Sequence, residues 1–181
     1  MNQGVHNFMV YGFGDIPVGA YDPSRLANVG IGHGAIDGGG GYTYFNPQTG
    51  HEFSAVAGVT YNFKNYFTDY QNGIDFHLDW GASQFISKQV QVGLVGYFYQ
   101  QLTADQGQAA FLGEFKSRVA AVGPQIGVLF PVGDMQGYLN LKGYWEFAAE
   151  NRASGWNAWV QFVVSPPEPG EAKPKPALIH K

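Results

Sequence analysis

A chain of 181 residues with a formal net charge of −4 and no cysteine carries no basic footprint for nucleic acid, no disulfide framework and no thiolate metal site. Only 13% of its residues are charged, where soluble domains usually carry about 25%, while 16% are aromatic and 26 are glycine. Mean hydropathy is −0.17, and no run of about 18 apolar residues occurs, which excludes a transmembrane helix.

Alternation of apolar and polar residues, the period of a β-strand, recurs in about eight segments of roughly ten residues each. Val5 to Phe13 is the first and Ala35 to Phe45 the second, thinned by Gly38 to Gly41. Those four glycines lack the lysine and the following helix of a phosphate-cradling loop, so they predict a bend or room for bulky neighbours. His51 to Phe63 is cleaner: Phe53, Ala55, Ala57, Val59, Tyr61 and Phe63 oppose Glu52, Ser54, Val56, Gly58, Thr60 and Asn62. Its apolar side ends in aromatics, as membrane interfaces select. From Ile74 to Ala82, Ile74, Phe76, Leu78, Trp80 and Ala82 oppose Asp75, His77, Asp79 and Gly81.

Gln89 to Gln101 sets Val90, Val92, Leu94, Gly96 and Phe98 against Gln91, Gly93, Val95, Tyr97, Tyr99 and Gln101. Arg118 to Phe130 contains Pro124, which removes a ladder donor and predicts a bulge or an edge. Gly137 to Ala148 sets Leu139, Leu141, Gly143, Trp145 and Phe147 against Asn140, Lys142, Tyr144 and Glu146, and Asn157 to Val164 closes the series. The connections alternate. Asn46 to Gly50, Ser87-Lys88 and Gly133 to Gln136 are short turns, whereas Gly14 to Gly34, Lys64 to Gly73, Thr103 to Ser117 and Ala149 to Trp156 are longer loops.

Together these features predict an all-β fold, an antiparallel up-and-down transmembrane β-barrel with short periplasmic turns, external loops and both termini in the periplasm. Its domain is residues 1–164, and the Pro- and Lys-rich residues 165–181 form a disordered periplasmic tail. Met1-Asn2-Gln3-Gly4 has neither the basic nor the apolar region of a signal peptide, so the expectation is an N-terminally truncated chain with strands missing from a larger barrel.

Several motifs resemble the phenol meta-pathway degradation family: Tyr21-Asp22-Pro23-Ser24-Arg25-Leu26-Ala27-Asn28-Val29-Gly30, His51 to Ala55, Phe76 to Trp80, Gln91 to Tyr97, Arg118 to Gln125 and Glu146 to Arg152. The resemblance covers nearly all of residues 8 to 164 and implies a transporter-like barrel in the outer membrane of a Gram-negative bacterium. Similar members are longer at the N-terminus, with a signal peptide and further strands.

If the polar face is the lumen, Glu52, Asp75, His77, Asp79, Gln91, Gln101, Arg118, Lys142 and Glu146 line it, a mixture of charges that a watery interior tolerates. Tyr97, Tyr99 and Tyr144 add rings and hydroxyl donors that suit an aromatic or partly apolar solute, although tyrosines also fill barrels for structural reasons. Asp75, His77 and Asp79 point the same way about 6.6 Å apart, too far for easy ligation of one ion, and a solvated wall is the stronger reading. Carboxylates flanking a histidine also serve acid–base chemistry, but no nucleophile motif accompanies them. The expectations are therefore no catalytic residues, no enzyme activity, no metal and no cofactor. The partners expected are outer-membrane lipid and a small solute, and the function is passage of small, aromatic or hydrophobic compounds. The alternatives are a structural or loop-binding barrel and a soluble lipocalin-like carrier with a packed apolar interior.

Overall fold

A computed structural model describes residues 2–3, 5–25, 27–108, 110 and 113–166 of the chain. Among these residues nine strands follow one another: β1 (Asn2–Gln3), β2 (His6–Asp15), β3 (Ala35–Asn46), β4 (His51–Asn62), β5 (Asp75–Phe85), β6 (Val90–Gln101), β7 (Arg118–Val132), β8 (Met135–Glu150) and β9 (Trp156–Ser165). Each pairs antiparallel with the next in a single sheet of order β1 to β9, the up-and-down meander that period-two segments and turn residues favour. The predicted tail lies, beyond Pro166, outside the described residues.

The sheet is an open half-barrel, with β2 and β9 as its long edges. Its curvature is visible in side-chain bonds that vault over an intervening strand: Gln125 Nε2 on β7 donates to Ser83 Oγ on β5 at 2.7 Å, and Tyr97 on β6 donates to Glu146 on β8 at 2.6 Å. Alternate strands in a flat sheet lie about 9.6 Å apart, so such reach marks the polar face as the concave one. Registers carry the faces across the wall. Asp37, Thr60 and Asp75 stand in line, as do Gly39, Gly58, His77 and Tyr99, and Ser54, Gly81 and Val95.

Burial is inverted relative to a soluble domain. The concave side buries polar groups, with Asn140 2% and Gln91 5% exposed and Ser83, Gln101 and Gln125 also buried. The convex side presents Leu94, Ile126, Leu141 and Phe147, and Trp145 is 69% exposed. Among the described residues the buried hydrophobic ones, Val95, Val119 and Ala121, all come from the concave face.

Glycines let this wall close up where the meander needs it. A Cβ on Gly39 or Gly58 would overlap the Tyr11 hydroxyl, which fills the concave space above β3 and β4. The four-glycine run thus makes room for bulky neighbours, Met9 over Gly41 included. On the convex side the Trp80 indole lies over Gly96, its partner in register.

Pro124 is a correction. It sits in the interior of the sheet, opposite Leu94 on β6, rather than on an edge, and the irregularity of β7 lies between Arg118 and Ala120. A proline lacks a donor on one side only, and the β7–β8 register has no pair at Gly123 or Pro124. There Gly123 packs so closely that a Cβ would overlap the Gly143 carbonyl oxygen.

Short turns at 47–50, 86–89 and 133–134 close one end, and loops at 16–34, 63–74, 102–117 and 151–155 the other. The fourth loop is shorter than expected because β8 runs on to Glu150, turning through left-handed Ala148 and Asn151. The loops are tied together. Asn65 bridges Tyr70, Gln71 bridges Gln106, and Tyr21 packs on Phe67 with ring centroids 5.4 Å apart. Asp105 holds the assembly, accepting from the Tyr70 hydroxyl, the Gly73 amide at 2.9 Å and Gln101 Nε2 at 2.6 Å. Desolvation, then the bond to Asp105, push Tyr70 up to about 12.

Candidate functional site

Alternation along β4, β5, β6 and β8 delivers most of the expected lining to the concave face. Glu52 accepts from Ser54 at 3.0 Å. Asp75 accepts from Tyr99 at 2.6 Å and from Asn62 at 2.8 Å, while Glu146 accepts from Tyr97 at 2.6 Å and from the Gly155 amide at 2.8 Å. Gln91 bonds the Tyr138 hydroxyl, and Gln101 spans to Asp105 and the Thr103 carbonyl. Tyr97 and Tyr144 pack with ring centroids 5.2 Å apart.

Asp75, His77 and Asp79 do not converge. His77 Nε2 turns to Asp37 at 2.9 Å, with Tyr11 at 3.4 Å, and Asp75 turns to Tyr99. Strand spacing fans the three side chains toward different neighbours, and among the described residues no group of three His, Asp or Glu side chains could hold a metal ion.

Arg118 departs from the expectation. It stands opposite Gln100, on the convex side, and pairs with Glu150 at the loop rim. Alternation from Val119 inward already turns Arg118 outward, and only its charge suggests the lumen; the register shift lies in its pairing with β8, where the extra residue stands.

Two hollows share the concave face. The larger, about 730 Å³, lies toward the loops among His77, Tyr97, Tyr99, Asn157 and Trp159. The smaller, about 410 Å³, lies toward the turns among Glu52, Ser54, Gln91, Gln125, Tyr138 and Asn140. Asp79, Lys142, Tyr144 and Gln161 line both and form the waist between them. The upper hollow is ringed by aromatics with hydroxyl and amide groups at their edges; the lower is a net of amides and hydroxyls, in which Asn140 donates to Tyr138 at 2.8 Å and to Gln125 at 3.1 Å. One offers stacking surfaces, the other exchangeable hydrogen bonds.

Asn157, Trp159 and Gln161 escaped the sequence reading although they alternate with Ala158, Val160 and Phe162, a pattern that carries them to the same face. Asp37 and Tyr11 escaped it too, since their strands are thinned by glycine.

An up-and-down sheet, curved about a polar hollow and apolar on its outer side, defines this chain as a wall of a β-barrel. The model of a family described as "Putative MetA-pathway of phenol degradation" matches residues 1–162. The chain belongs to that family. No curated protein and no solved structure matches it.

Proposed function

We propose that these strands form part of an outer-membrane barrel through which small compounds pass, the aromatic hollow serving solutes with a ring or other apolar body. The observation that carries this reading is the inverted burial: amides and hydroxyls inside, Leu94, Ile126, Leu141, Trp145 and Phe147 outside. Lipid makes such an outer face favourable, whereas water does not.

Most of the outer aromatics support it by falling into two belts, with Trp80 between them opposite Ala55. Phe8, Tyr42, Phe53, Phe130 and Phe162 lie toward the turns, and Tyr61, Phe76, Phe98, Trp145 and Trp156 toward the loops. Between them come Ala55, Ala57, Leu78, Val92, Leu94, Leu139, Leu141 and Val160. Phe53 and Tyr61 are eight positions apart on β4, about 26 Å along the strand, or about 20 Å of height at the usual barrel tilt, against an apolar band about 25 Å tall. Backbone groups in hydrocarbon must be paired, so a spanning wall requires partners for the edges of β2 and β9, from each other or from further strands. No catalytic step belongs to this reading: its partners are lipid outside and a small solute inside.

Refolding into detergent micelles followed by gel electrophoresis tests it. A compact band that boiling converts to a slower one, together with solute-dependent swelling of liposomes, is expected. A chain that stays soluble and monomeric without detergent contradicts it.

A further inference from the structure

We propose that the concave face is cation-selective, admitting cations and neutral solutes while holding back anions, with Lys142 at the waist tempering that preference; this rests on the passage reading above. Six carboxylates face the hollow: Asp15, Asp37, Glu52, Asp75, Asp79 and Glu146, contributed by five strands and spread from the loop rim to the turn side. Against them, among the described strand residues of the concave face, stands a single lysine or arginine, Lys142.

How the carboxylates are satisfied gives independent support. Their hydrogen-bond partners are neutral donors: Thr60 for Asp37 at 2.6 Å, Tyr99 and Asn62 for Asp75, Tyr97 and a backbone amide for Glu146, Ser54 for Glu52. Such donors occupy oxygen lone pairs without cancelling charge. Among the described residues the ion pairs formed by lysine or arginine, Arg25–Asp22, Lys64–Asp69 and Arg118–Glu150, lie in the loops or at the rim. Among the described residues of the hollow, His77 beside Asp37 is the one basic side chain hydrogen-bonded to a carboxylate. A hollow lined by uncompensated charge of one sign concentrates counter-ions and excludes co-ions. Arg152 adds a second positive charge at the loop end, its guanidinium 5.5 Å from the centroid of the Tyr99 ring, and leaves the carboxylates in excess.

Lys142 lines both hollows together with Asp79, so a permeating ion meets its ammonium at the waist. The experiment is the reversal potential of the full chain in a planar bilayer across a KCl gradient. Potassium is expected to permeate several-fold better than chloride at low salt. That ratio should shrink in 1 M KCl, where the screening length falls to about 3 Å. Lys142→Gln should raise the ratio, and Glu52→Gln with Asp79→Asn should lower it. A reversal potential at zero or of chloride sign in a conducting protein overturns the selectivity and leaves passage standing. A heat-modifiable protein that never conducts overturns both.

Discussion

Single residues carry the face assignment. Leu141, half-exposed at the middle of β8, and Asp79, at the waist, sit on opposite sides of the wall. On the proposed reading Leu141→Arg costs about 2 to 4 kcal/mol of folding stability near the midplane, whereas Asp79→Asn leaves folding intact. Urea titration of the refolded protein in vesicles checks this, and equal tolerance of the two would reverse the faces. Two glycines that approach one another across β7 and β8 offer a second comparison. Gly143 has open space where a Cβ would go, but at Gly123 the added atom meets the Gly143 carbonyl. Backbone cannot swing aside as a side chain does, so Gly123→Ala should cost roughly 1 to 3 kcal/mol and Gly143→Ala almost nothing. None of that asymmetry is legible in the sequence, where both are glycines in alternating segments; it depends on how closely two strands approach. The lining residues were legible because period-two alternation fixes a face, and Arg118 failed because its charge suggested the lumen where its place in that alternation did not.

Among elements, the strands were easier to read than the loops. Segments such as His51 to Phe63 and Gln89 to Gln101 match β4 and β6 to within a residue, because alternation bounded by turn residues leaves little choice. The loop contacts join residues far apart in sequence, Tyr70 to Asp105 and Gln108 to Asp69, and no periodicity announces them. Asp105→Ala strips three donors of their acceptor and should cost about 1 to 3 kcal/mol, read as faster amide exchange in 63–74 and 102–108 with β4 to β7 unchanged. The Lys64–Asp69 pair adds a pH dependence. The bond from Lys64, then that from the Gln108 amide, hold the Asp69 carboxyl below its ordinary 3.8. A carboxyl lowered in the folded state contributes order that is fully present above 3.8 and is lost as pH falls through its lower, folded value. Exchange in this loop should therefore rise on acidification below about pH 4, and Asp69→Asn should abolish that rise.

At the scale of the whole molecule the half-barrel explains why a chain with few charges and an average hydropathy near zero can be all surface. One face meets water inside the hollow, the other presents leucine, valine and aromatics, and no thick apolar core separates them. The soluble-carrier alternative requires the reverse, an apolar interior under a polar exterior. Fold class and strand order were legible because each strand pairs with its sequence neighbour; closure was not, since it depends on what meets the edges of β2 and β9. The absence of cysteine permits a direct test of the central assignment. Leu141→Cys and Asp79→Cys, each carrying a nitroxide label in liposomes, should differ in relaxation: the first enhanced by oxygen dissolved in lipid, the second by a water-soluble nickel complex. The same response at both positions, or the nickel complex acting on residue 141, would contradict a wall with lipid on one face and water on the other.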